Sequence, residues 1–238
     1  MRSCHWLDIE TSSLCNRRCV TCMRNSNPNR EEVADWFEQR LMPVDMLTEI
    51  LDQAAVARYR GAVILSHFNE PLLDPRIASI AELAKSYNRF SVRLVTNGDL
   101  LDESMAAALD GVLNKITISL YLPKGPERDE QCKWFMSLFR KTEVKITSGV
   151  HAVVHFHQSA GQVNQQNEPC FQTRRLIVNH RGQYLLCCDD MLGHFDLGMF
   201  PKIGLREYWH SEKRLKIVRE LEQAGGRLSY PYCRTCPR

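Results

Sequence analysis

Three thiols stand close together near the start of the chain: Cys15, Cys19 and Cys22, in a C-x3-C-x2-C spacing. Closely spaced thiolates on one loop make a natural cage for a metal ion or cluster. Zinc asks for four ligands, and this loop offers three, so a zinc reading must borrow a ligand from a distant segment. A four-iron cube held by three thiolates keeps one iron open to a further ligand. Ten cysteines in 238 residues are many. Disulfide frameworks belong mostly to short secreted domains that cannot build a core. This chain is long enough to build one, and its opening Met1-Arg2-Ser3-Cys4-His5-Trp6 has no apolar signal-peptide segment. Metal or redox chemistry in the cytoplasm is therefore the expected use of the thiols, with Cys4 and Cys132 as ordinary small residues.

The elements that must position these thiols alternate in type. Strand candidates are 6–10, 62–67, 92–96, 116–121 and a long stretch over 144–156. Between them Leu47, Ile50, Leu51 and Ala54 recur at helical spacing, as do Ile77, Ile80, Leu83 and Ala84. Further helices are expected over 103–109 and 129–140. Pro71 and Pro75 mark a loop after the second strand, and Asn97-Gly98 ends the third. Strands alternating with helices predict parallel βαβ units. Five or six strands are too few to close an eight-stranded barrel. The fold expected is α/β, a partial TIM-like barrel over 1–157, followed by a small α+β unit over 158–238. The polar stretch 158–168 reads as the linker. Strands over 175–178 and 183–187, joined by a turn at Asn179-His180-Arg181-Gly182, precede a helix over 205–224.

With these elements in order, the sequence resembles the radical S-adenosylmethionine (radical SAM) superfamily. The three-cysteine loop follows the first strand, as in that family's signature. Phe68-Asn69-Glu70-Pro71-Leu72-Leu73 is similar to its Gly-Gly-Glu-Pro-type segment, Thr96-Asn97-Gly98-Asp99-Leu100-Leu101 to its third-strand ending, and Thr117-Ile118-Ser119-Leu120 to its fourth strand. The resemblance implies a [4Fe–4S] cluster on Cys15, Cys19 and Cys22 whose open iron chelates SAM. Reduction would then cleave SAM to methionine and a 5′-deoxyadenosyl radical. Glu70 would accept hydrogen bonds from the SAM ammonium, with Asn69 and Asn97 beside it and Ser119 facing a ribose hydroxyl. His151, His155 and His157 alternate along the last strand candidate; one, His151 or His155, could bind the SAM carboxylate or act as a base. Two positions depart from the pattern. Thr21 stands where the family has an aromatic residue, and Asn69 where it has a glycine.

Cys170 is followed by eleven residues, Gly182, four more residues and Cys187, and later by the C-x2-C pair Cys233 and Cys236. This resembles the C-terminal extension called SPASM, or its shorter twitch form. The resemblance implies a second, auxiliary [4Fe–4S] cluster on Cys170, Cys187, Cys233 and Cys236, with Cys188 as the rival of Cys187 and a Cys4 zinc site as the alternative. Asp189 and Asp190 follow directly and could deprotonate a substrate radical, or lie in a solvated turn. Arg174 and Arg175 could hold an anionic substrate or form an exposed strand face.

Lys and Arg number 31 against 28 Asp and Glu, a net charge of +3 that argues against an electrostatic nucleic-acid binder. No apolar run is long enough for a membrane span. Three functions are expected to compete. The first is hydrogen abstraction from a ribosomally made precursor peptide, leaving a crosslink, epimer, excision or oxidised residue. Because the cysteine loop starts at residue 15, a separate partner protein would present the leader peptide. The second is oxidation of an alcohol carbon in a sugar or aminocyclitol, since length, strand count and late cysteine spacing resemble the aminocyclitol dehydrogenases of the superfamily. The third is a non-catalytic iron–sulfur or zinc protein. Both enzymes need a reductant such as flavodoxin or ferredoxin.

Overall fold

The computed structural model describes residues 4–19, 22, 24, 39–148, 167–234 and 236. Among the described residues seven strands form one sheet in the order β5-β4-β3-β2-β1-β6-β7. They are β1 (Trp6–Ile9), β2 (Ala62–Ile64), β3 (Ser91–Thr96), β4 (Lys115–Leu120), β5 (Glu143–Ser148), β6 (Arg175–Val178) and β7 (Tyr184–Leu185). The helices between the first five are α1 (Val44–Val56), α2 (Ile77–Ser86), α3 (Glu103–Leu109) and α4 (Pro126–Ser137). Neighbours from β5 through β6 pair in parallel, and β7 returns antiparallel on β6.

The helical spacing read from the sequence becomes burial. Leu47, Ile50, Leu51 and Ala54 of α1 are buried against the sheet, as are Ile77, Ile80, Ala81 and Ala84 of α2. An amphipathic helix is stabilised chiefly by that packing. At α3, Asp102 caps the first turn, accepting a hydrogen bond from the Met105 amide at 2.7 Å. On β1, Leu7 and Ile9 share one face, while Asp8 and Glu10, also buried, alternate with them.

Several boundaries differ from the sequence expectation. β2 stops at Ile64 rather than His67; beyond it the Ser66 hydroxyl, not a strand carbonyl, accepts the Val95 amide at 3.1 Å. β5 ends its described length at Ser148, and residues 149–166, with most of the expected linker, the 157/158 boundary, His151, His155 and His157, lie outside the described residues. Thr21 lies outside them too. The single helix expected over 205–224 is two, α5 (Leu205–His210) and α6 (Glu212–Leu221). Ser211 takes an extended backbone between them and caps α6 through its hydroxyl.

The hairpin β6–β7 extends the barrel sheet from β1 instead of building a sheet of its own. The segments after it pack back on the barrel. Tyr184 and Tyr208 stack with ring centroids 3.9 Å apart, and the Leu205 amide donates to Gln53 Oε1 of α1 at 2.9 Å. Arg214, buried, lies over the Trp209 ring and donates to the Thr173 and Trp209 carbonyls. Among the described residues no helix is long and apolar enough to cross a membrane.

Candidate active site

A cavity of about 390 Å³ opens at the C-terminal ends of the strands. Its wall includes Cys15, Cys19 and Cys22 together with Glu70, Asn69, Asn97 and Ser119. Parallel strands end on loops of one side, so residues from four strand ends converge there.

The cysteine loop is held from two directions. The Glu70 amide donates to the Leu14 carbonyl at 2.7 Å. On the other side Asn16 and the Arg17 Nε both donate to Asp99 Oδ2, at 3.0 and 2.6 Å, and the Arg17 guanidinium also meets Asp99 Oδ1 and lies 4.3 Å from the Tyr121 ring centroid. A fork on a carboxylate has fixed geometry, so the loop is registered against the end of β3. Within it the Cys22 amide donates to the Cys19 carbonyl at 3.0 Å. All the cysteines are free thiols, and burial raises the pKa of Cys15 and Cys22.

Glu70 is buried, and donors of the protein engage both its oxygens. Oε1 accepts from the Thr96 hydroxyl at 2.6 Å and the Leu72 amide at 3.0 Å; Oε2 accepts from the Asn97 amide at 2.7 Å. Burial still holds its carboxyl above the usual range, against the pull of those hydrogen bonds. A carboxylate offers about four acceptor sites, so one is left for a further donor. Asn69, at the glycine position of the family pattern, uses its amide structurally. It accepts from the His67 amide at 2.9 Å and reaches the Thr11 and Ser12 hydroxyls. Asn97 likewise bridges Asn16 and the Asp99 amide. Ser119 faces the same cavity with its hydroxyl 3.4 Å from that of Thr147.

The other four cysteines meet in a second, smaller cavity, lined by Cys170, Cys187, Cys233 and Cys236. Gly182 takes φ +86° in the turn that returns the chain from β6 to β7. Cys170 is tied to the end of α6 by its amide on the Leu221 carbonyl at 2.7 Å. Burial pushes the Cys187 thiol well above its usual range and Cys233 up to about 12. Burial thus disfavours ionising Cys187 and Cys233, a preference that a cationic metal core would reverse. Among the described residues the thiols are not closed into a ready-made metal site. Cys188 lines the larger cavity, so adjacent residues serve different cavities.

The two aspartates read as possible bases are not among the residues lining the larger cavity. Asp190 is fully buried in its own loop, its carboxylate accepting from the Leu186 and His194 amides at 3.1 and 2.8 Å. Those bonds close the turn after Cys187 and engage both carboxylate oxygens. Asp189 lines the smaller cavity beside the four cysteines. Arg174 stays on the surface over Phe171, but Arg175 lines the large cavity.

Asp8 and His67, which the sequence reading passed over, stand with Arg175 in that wall. Arg175 donates to Asp8 Oδ2 at 2.6 Å, and His67 Nδ1 lies 3.8 Å from the same oxygen. Burial raises the Asp8 carboxyl despite Arg175 and His67, and lowers the His67 imidazole despite Asp8 and Glu10. Alongside, Glu10 accepts from the Phe68 amide and pairs with His180 at 2.8 Å. The available signal was the alternation Leu7-Asp8-Ile9-Glu10, two carboxylates on one face of an apolar strand.

The description Radical SAM superfamily matches residues 9–123, and that of the iron-sulfur cluster-binding domain SPASM matches residues 170–237. A GTP 3′,8-cyclase of Chlorobaculum tepidum is 28% identical over 120 residues, 50% of this chain and 33% of the cyclase. The chain thus aligns with about a third of that relative's length. Among solved structures, BtrN in complex with AdoMet and 2-DOIA is 21% identical with a TM-score of 0.81, over 98% of this chain and 92% of that one. Native anSMEcpe with bound AdoMet and Cp18Cys peptide is 16% identical with a TM-score of 0.64, over 98% and 87%. These structural likenesses are likenesses of fold.

Proposed function

We propose, for a chain that belongs to the radical SAM superfamily and carries a C-terminal SPASM iron–sulfur domain, that it oxidises an alcohol carbon of a small polyhydroxylated or amino-substituted molecule. The cofactors of that architecture are [4Fe–4S] clusters and SAM, and the two cysteine sets described above fit them in number and kind. Cys15, Cys19 and Cys22 would hold the SAM-binding cluster; Cys170, Cys187, Cys233 and Cys236 would hold the auxiliary one. When bound, the cluster and SAM supply a primary carbon radical able to take a hydrogen atom from an unactivated C–H bond.

The chain's own residues aim and confine that chemistry. Glu70, fixed by Thr96, Leu72 and Asn97, keeps one acceptor position for the SAM ammonium. Ser119 is offered to a ribose hydroxyl from β4. Asp99 holds Arg17 and Asn16, so the cysteine loop keeps its place relative to Asn97.

The observation that carries oxidation is the division between Cys187 and Cys188, which sets the two cavities one peptide unit apart. Removing two electrons from an alcohol needs a second electron acceptor, and the auxiliary cavity is joined to the larger one through the adjacent residues Cys187 and Cys188. The test is anaerobic reconstitution followed by reduction with SAM and a panel of inositols and amino sugars. One 5′-deoxyadenosine per carbonyl formed supports the reading, whereas 5′-deoxyadenosine without any carbonyl product rejects it.

A precursor peptide is the second reading, favoured by the likeness to the peptide-bound anSMEcpe structure. It adds a leader-binding partner protein, and a mass change in a peptide encoded beside this chain would select it. Both readings include a reductant such as flavodoxin or ferredoxin and a cytoplasmic setting.

A further inference from the structure

We propose that Asp8, His67 and Arg175 form a subsite for the hydroxyl and amino groups of a small ring substrate. This rests on the alcohol-oxidation reading and names the groups that would receive the molecule. The three come from neighbouring strands, Asp8 within β1, Arg175 at the start of β6 and His67 in the loop after β2, and all line the cavity that also holds Cys15, Cys19 and Cys22.

Each carries a buried polar atom without a hydrogen-bond partner: Asp8 Oδ1, His67 Nε2 and Arg175 Nε. Asp8 and His67 have side chains only 2% and 6% exposed. Buried polar groups are nearly always paired, so three adjacent orphans in one cavity wall mark places where a ligand completes the set. Asp8 Oδ1 can only accept and Arg175 Nε can only donate, while His67 Nε2 does either according to its tautomer. A hydroxyl donates and accepts at once, and an amino group donates to a carboxylate, so vicinal hydroxyls with or without an amine satisfy all three.

Charge narrows the class further. Arg175 is already neutralised by Asp8 at 2.6 Å and is held over the Trp6 ring at 5.0 Å. A phosphate or carboxylate ligand reaching Arg175 Nε would meet a guanidinium already paired with Asp8 and would lie beside that buried carboxylate. Burial favours the neutral imidazole of His67, which suits a hydroxyl over an anion. Neutral and amino-bearing polyols fit; phosphorylated sugars do not.

The experiment is calorimetric titration of the reconstituted protein, with SAM present, using myo-inositol, glucosamine and glucose 6-phosphate as probes. Myo-inositol or glucosamine is expected to bind more tightly than glucose 6-phosphate. Asp8→Asn and His67→Gln should each weaken that binding by about tenfold or more, since a site built to pair polar groups loses heavily when one is removed. SAM affinity should change less than about twofold, because neither residue belongs to its proposed contacts. Circular dichroism melting separates loss of fold from loss of contact, and His67→Gln replaces one neutral polar group by another if Asp8→Asn does not fold. Unaltered probe binding in folded variants, no binding of either polyol, or preference for the phosphorylated sugar would each overturn the subsite. Release of 5′-deoxyadenosine under reductant, read on the same samples, tells that failure apart from failure of the enzyme reading.

Discussion

The carboxylate of Glu70 accepts the backbone amide of Asn97 at 2.7 Å, joining the loop after β2 to the end of β3 directly beneath the cysteine cavity. The same carboxylate takes the Thr96 hydroxyl and the Leu72 amide. One buried side chain therefore sets the relative position of two loops and still presents an acceptor to the cavity.

Glu70→Gln turns one acceptor oxygen into a donor facing protein donors. Leaving such groups unmatched costs about 1–3 kcal/mol. We expect a lower melting temperature and SAM binding weakened at least tenfold (about 1.4 kcal/mol), measured by calorimetry on the reconstituted protein. Unchanged SAM affinity would remove Glu70 from the ammonium site.

Cys187→Ala and Cys188→Ala should part company. Holoprotein with two four-iron cubes carries about eight irons; Cys187→Ala should fall toward about four irons, whereas Cys188→Ala should keep them all. Iron and sulfide assays on anaerobic protein decide it. Equal losses would mean that the cavities do not divide the two thiols as described.

Gly182→Ala tests the turn that returns β7 to β6. Its φ of +86° is strained for an L-residue by about 1–2 kcal/mol. The added Cβ would also lie 2.6 Å from the Phe200 carbonyl oxygen. A destabilisation of roughly 2 kcal/mol or more in urea unfolding is expected, with faster loss of the auxiliary iron to a chelator than of the first cluster's.

Asp99→Ala removes the acceptor for Arg17 and Asn16. The pair is about a third exposed, so the stability change should stay below about 1 kcal/mol. The effect should instead appear as a cysteine loop that surrenders iron to a chelator more readily, read by absorbance decay.

His67 supplies a pH dependence. Burial lowers its pKa from 6.5, with Arg175 acting the same way and Asp8, Glu10 and Asp189 opposing. Below pH 6.5 the unfolded chain binds a proton that the folded one refuses, so this contribution to stability is intact above 6.5 and declines as pH falls toward the lowered folded value. The slope cannot exceed about 1.4 kcal/mol per pH unit for one proton. Melting temperatures between pH 5.5 and 8 should fall less steeply in His67→Gln than in the unmodified protein.

Much of this was legible along the chain because it is local. The three-cysteine loop, the Glu70 segment, the spacing of Leu47, Ile50, Leu51 and Ala54, and the turn at Gly182 are patterns within a few residues, where backbone period and side-chain type decide the outcome. Asn69 was legible as a departure from the family pattern, yet its work in bridging Thr11, Ser12 and the His67 amide was not.

What the amino-acid order settled by itself is the chemistry on offer: seven thiols in two sets, a parallel βαβ scaffold and an acidic residue after the second strand. Only the tertiary structure decided which groups meet. It attached β6 to β1, and that pairing brought Arg175 onto Asp8 across 167 residues of sequence. It turned Asp190 inward to close its own loop and sent Cys187 and Cys188 to opposite cavities. Such outcomes depend on long-range pairing and on where burial forces a polar group to find its partner, and neither is written in the spacing of neighbouring residues.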